Sequence, residues 1–154
     1  MKGSSEKPEP SQPVGRTRHG ELSLDAIAEI QPGLGVLMPQ IAERFTLVFY
    51  AAKGGNWDLS HYELRQMEHL FRVATKTRPK QTQRIEKFLA EQVTPLKDAI
   101  KSRDWNTFES LFRRVTDAAN ENHRELGVGF IVYKLPPEPA SHLDFAPQEK
   151  PRKE

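Results

Sequence analysis

The 154-residue chain contains no cysteine. Disulfides, thiolate zinc sites and cysteine nucleophiles are therefore excluded. Its apolar runs are also short. None approaches the ~18 residues that a membrane-spanning helix needs, so no membrane partner is expected. Neither sign of charge dominates, with 23 basic against 21 acidic residues and a net charge of +2. That balance argues against a nucleic-acid partner, which would need a clustered basic face to displace counterions. The basic residues in 72–84 read as a solvated helix end and loop. The sequence has no glycine-rich phosphate loop, no nucleophile elbow, and no pair of Glu-x-x-His helices of the di-iron type. Nothing in the motifs points to an enzyme.

Hydrophobic residues make up only 36% of the chain, and most of its twelve prolines fall within the first twenty and last twenty residues. Setting those ends aside leaves a segment of ordinary globular composition. It is long enough for one domain with one core. The first twenty residues hold no apolar stretch of signal-peptide type. The compartment is left open: periplasmic if a signal was removed ahead of Met1, cytoplasmic otherwise.

Hydrophobic periodicity predicts an all-α fold, an up-down four-helix bundle with a disordered tail at residues 1–22, a bundle at 23–129, an extended proline-rich strap at 130–146 packed on it, and a second tail at 147–154. A short helical stretch begins at Ser23. The first long helix covers residues 32–53, with Leu34, Leu37, Met38, Ile41, Phe45, Val48 and Ala52 at helical spacing, and Gly54 and Gly55 stop it. Its last turns are apolar on nearly every side, and Leu47, Phe49 and Tyr50 lie off the main stripe. That end needs a second cover, either the strap or another subunit, so a homodimer through the first two long helices is one expectation. The second long helix covers 58–76, and Ser60 and Glu63 have capping-box spacing. The third covers 81–102 and carries Pro95, which implies a kink or a fresh start there. The fourth begins at Asp104 or Asn106 and runs to Gly127, with Phe108, Phe112, Val115, Ala119 and Asn122 on its inner stripe.

Of the five histidines, His19, His61 and His69 read as solvent-exposed and structurally neutral, and His142 lies in the strap with no local partner. His123 stands apart because it follows Ala119 and Asn122 in the last turn of the fourth helix. Read from composition alone, it is a cation favoured by the negative end of the helix dipole.

The segment Ala119-Asn120-Glu121-Asn122-His123, followed by Gly127-Val128-Gly129-Phe130-Ile131-Val132, Pro136-Pro137 and Asp144-Phe145, resembles a family of bacterial c-type cytochrome domains with a cytochrome-c-prime-like bundle. Asn56-Trp57-Asp58, Arg78-Pro79 and Pro95-Leu96 extend the likeness over residues 32–146. In that family two cysteines attach haem and the histidine after them ligates iron. Here Ala119 and Asn122 stand at both thiol positions, so covalent haem is chemically impossible. The resemblance implies a degenerate member in which His123 is the residual metal ligand. Ala119, Asn122, Phe112, Val115 and Phe130 would border a pocket for non-covalent haem or another apolar ligand. The same residues would equally fill a dry core, leaving a closed bundle for a protein partner. Both readings, each non-enzymatic, remain open at this stage.

Overall fold

The computed structural model describes residues 13–139 and 142–148. It is mostly helical (69%), with one two-stranded sheet. The chain divides into two compact units, Met1–Pro32 and Gly33–Glu154. The expected tail segments at 1–12 and 149–154 lie outside the described residues.

In the first unit, β1 (Val14–Thr17) and β2 (Gly20–Ser23) form an antiparallel hairpin where the sequence suggested only a tail. Gly20 closes its turn at a φ of 136°, a value open to glycine because it lacks Cβ. Thr17 Oγ1 accepts from the His19 N–H at 3.1 Å and donates to the Gly20 carbonyl at 3.1 Å. Arg16 and Glu21 sit opposite one another and pair at 3.0 Å. The strands were not readable because they are exposed and largely polar, so they lack the alternation of a half-buried sheet. Helix α1 (Leu24–Glu29) follows, with Ser23 Oγ accepting from the Ala26 N–H as its cap. This short helix falls in the first unit rather than with the long helices.

The second unit holds four long helical runs among the described residues. They are α2 (Leu34–Lys53), α3 (Trp57–Thr77), a composite run of α4 (Thr82–Phe88), a π turn (Leu89–Val93) and α5 (Thr94–Ser102), and α6 (Trp105–Glu125). Their caps follow from side-chain chemistry. Asn56 accepts from the Leu59 N–H at 3.1 Å, and Asp104 accepts from both the Thr107 N–H and its hydroxyl. Those two bonds hold the Asp104 carboxyl below the ordinary carboxylate range.

The capping-box spacing of Ser60 and Glu63 has a different use. Ser60 Oγ donates to the Val48 carbonyl of α2 at 2.9 Å, and buried Glu63 accepts from Arg44 of α2 at 2.8 Å. Both tie α2 to α3. Lys97 of α5 reaches Glu68 of α3 with bonds of 2.9 and 3.0 Å. Pro95 is the second residue of α5, so α-helical bonding starts afresh there, after the π turn, without breaking the run. Proline cannot donate to the carbonyl four residues earlier. That carbonyl, on Glu91, accepts instead from the Arg114 guanidinium of α6 at 2.9 Å.

One core joins the four runs. Phe45 stacks on Phe112 with ring centroids 4.0 Å apart, and Phe49 meets Phe112 at 4.9 Å and Trp105 at 5.6 Å. Trp57 stands edge-on to Phe108 at 5.8 Å. Leu64, Met67 and Phe71 of α3 and Val93, Leu96 and Ile100 of the third run complete it.

Candidate functional site

Three of the residues singled out by sequence, Ala119, Asn122 and His123, lie in the last turns of α6, and local chemistry explains how that end is built. Leu126 is the last helical cap and Gly127 takes a φ of 77°. The Val128 N–H then donates to the His123 carbonyl at 2.9 Å and the Gly127 N–H to that of Arg124 at 3.0 Å. This pair of bonds is a Schellman closure, which needs a left-handed residue where Gly127 stands. A further turn, Ile131 N–H to Val128 carbonyl at 2.9 Å, sends the chain back along the helix it has just left.

The returning segment is held by its backbone. The Asn120 amide takes both polar groups of Tyr133: its Oδ1 accepts from the Tyr133 N–H at 2.8 Å and its Nδ2 donates to the Tyr133 carbonyl at 3.0 Å. One turn on, His123 Nδ1 bonds the Ile131 carbonyl at 2.8 Å. A carbonyl can only accept, so Nδ1 carries a proton in this bond, and Nε2 is not engaged by it. Asn120 and His123 are three apart and share a face of α6.

The segment then meets α2. Tyr133 shares a hydrogen bond with Thr46 at 2.9 Å and lays its ring 5.4 Å from that of Phe45. Burial pushes the Tyr133 phenol above its ordinary pKa. Tyr50 donates to the Pro136 carbonyl. Asn56 donates to the Asp144 carbonyl at 3.4 Å, and Phe145 reaches the Tyr50 ring at 6.2 Å. A Cβ on Gly54 would collide with the Phe145 backbone, so this glycine also admits a close backbone approach. Thr46 and Tyr50 of α2 and its cap Gly54 are spaced by four and all face the returning segment.

The candidate pocket residues do not come together. Phe112 and Val115 are buried in the main core. Phe130 is 82% exposed, because the turn after Gly127 leaves it outside the returning segment. Ala119 is half-buried. Asn122 turns toward α4, where its Oδ1 accepts from Arg84 at 3.0 Å while Arg84 also pairs with Glu125. An open groove of about 340 Å³ lies there, lined in part by Lys87, Phe88 and Ala118. The His123 ring and the Asn122 side chain therefore have different partners, the returning segment and α4.

Among the described residues no three metal-ligating side chains cluster, and no helix is long and apolar enough to cross a membrane. The sequence assigned no hydrogen-bonding role to Asn120, Thr46, Tyr50 or Asn56. The signal was the extended run after Gly129: its backbone had no strand to pair with, so polar side chains had to satisfy it. No family model matches the chain, and neither a curated protein nor a solved structure matches it. The likeness to c-type cytochrome domains rests on the sequence pieces quoted above.

Proposed function

We propose that this chain is a non-enzymatic interaction module: an up-down four-helix bundle closed by a C-terminal strap, which engages a protein partner through the outward side of that strap. Short connections between α2 and α3 and between α5 and α6 favour antiparallel neighbours, which supports the bundle. The backbone bonds from Asn120, His123 and Tyr50 support the strap. The observation that carries the function is the exposure of three consecutive large apolar residues. Phe130, Ile131 and Val132 are 82%, 51% and 63% exposed on a segment fixed to the scaffold. Exposed apolar residues close together on one segment favour a contact surface.

The test is photocrosslinking from position 130 in the cells that make the protein, with a control probe at Arg113 on the polar face of α6. Discrete adducts from position 130 alone are expected. Adducts equally frequent from both positions, or none, would sink the reading.

A second reading has one specific observation in its favour. A metal-ligating histidine usually donates its other ring N–H to a carbonyl or carboxylate, which fixes the ring. His123 Nδ1 does this to Ile131 and leaves Nε2 available. In that reading a cytochrome-like ancestor left His123 able to ligate haem non-covalently, beside Ala119 and Asn122. A saturable Soret band on haem titration, lost in His123→Ala, would favour it over the interaction module.

A further inference from the structure

We infer that the face formed by α2 and α6 is a receptor for extended peptides, and that residues 131–136 are its tethered resident, displaceable by a partner segment carrying Tyr-x-Leu-Pro. The inference rests on the strap reading above but concerns its inner side rather than the outward residues 130–132.

The first ground is what the receptor grips. Asn120 binds the N–H and carbonyl of Tyr133, His123 the carbonyl of Ile131, and Tyr50 the carbonyl of Pro136. All four bonds go to main-chain atoms, and any sequence presents those atoms. A chain that must recognise peptides by addition in extended form uses this division: main-chain bonds supply affinity and alternate side chains supply specificity.

The second ground is which side chains are read. Tyr133 lies against Phe45 with its hydroxyl on Thr46, and Leu135 packs on the core two residues later. Lys134 between them is exposed. Position 136 contributes a carbonyl alone, so proline fits there although it has no N–H. The pattern admitted is thus an aromatic hydroxyl, any residue, an aliphatic residue and proline.

The third ground is what the resident leaves outside. A segment held only by hydrophobic burial would turn its bulkiest apolar residues inward. Here Phe130, Ile131 and Val132 stay in solvent, so this stretch is held in place by main-chain bonds. Gly127 and Gly129 flank a single residue between the helix end and the resident, and Gly127 is the left-handed pivot.

The test keeps every residue. A site-specific protease sequence is inserted between Val128 and Gly129 of the full chain, and the protein is cut. A fluorescent peptide of residues 129–139 is then titrated in, with anisotropy as the readout and far-ultraviolet circular dichroism monitoring the helices. Saturable binding is expected. Roughly tenfold weakening is expected in the Asn120→Ala protein, which loses two bonds, and with a peptide bearing Ser for Tyr133. A peptide with Ser for both Phe130 and Val132 should bind as well as the parent; roughly tenfold loss there would mean that the outward face does the holding and would overturn the inference. Helical cut protein that ignores the peptide would overturn it, as would unfolding on cutting. Neither result touches crosslinking from position 130 of the uncut chain, so failure of the receptor and failure of the interaction surface are separable.

Discussion

The two halves of α6 are held by opposite means. From Trp105 to Val115 the helix is gripped by rings: Phe108 and Phe112 are buried against Phe49, and Phe112 stacks on Phe45. From Ala119 to Glu125 no residue is fully buried; Asn120 and His123 hydrogen-bond a returning backbone, and Asn122 accepts from Arg84. The first half gains stability in proportion to the apolar area it removes from water. The second gains little net free energy per bond but would lose more if a buried partner were orphaned. Stability therefore belongs to the aromatic half, and the position of the C-terminal segment belongs to the polar half.

The largest expected effect tests the aromatic half. Phe112→Ala should lower unfolding free energy by roughly 3–5 kcal/mol, because the facing Phe45 ring cannot collapse fully into the space left. Urea denaturation measures it. A loss below about 1 kcal/mol would show that the stacked pair is peripheral to stability.

Asn120→Ala tests the polar half. It removes both bonds to Tyr133, and a loss of about 1–2 kcal/mol is expected. Its signature is local: amide exchange at Tyr133 should accelerate strongly, while amides in the middle of α2 and α3 keep their protection. Uniform acceleration throughout the second unit would make the segment part of the cooperative core and erase the contrast between the halves.

The same contrast explains what was legible in the sequence. Spacings of three and four among large apolar residues gave the four helical runs and nearly their ends, since Gly54, Arg78-Pro79 and Asp104 are local signals. The need to cover Leu47 and Tyr50 was readable too, because a helix apolar all round cannot face water. Partners that depend on tertiary placement were not readable. Ser60 and Glu63 have the spacing of a cap, yet bond across to Val48 and Arg44. The hairpin at residues 14–23 was missed because turn chemistry and a cross-strand ion pair, rather than apolar alternation, define it. Phe130 was assigned to a pocket by the resemblance. The turn after Gly127, set by a left-handed backbone, puts it outside.

Tyr133 sharpens the comparison through pH. Burial raises its folded-state pKa above the unfolded value of ~10. A raised folded-state value means the stabilisation is fully present below the unfolded pKa. It is lost as pH rises through the folded one. Chemical-shift titration of the segment should show release above pH ~10, with α2 and α3 unchanged at the onset. Tyr133→Phe should remove that step at a cost of roughly 0.5–1 kcal/mol, the value of one hydrogen bond with Thr46. Release at the same pH in the variant would assign the transition to another group.

The smallest stability effect belongs to His123, and it separates the two functional readings. His123→Ala loses one bond to the Ile131 carbonyl at a partly exposed site, so a loss of at most about 1 kcal/mol is expected. His123→Gln is the informative companion. Its amide can still donate to that carbonyl but offers iron no imidazole. If His123 serves only to place the segment, Gln retains the stability that Ala loses, and haem titration gives the same unsaturable absorbance in wild type and both variants. If His123 is a ligand, the wild type alone shows a saturable Soret band, and Gln loses it although its segment stays docked. A variant pair in which Gln is as unstable as Ala, with no Soret difference, would assign the residue neither role and leave the hold on Tyr133 to Asn120.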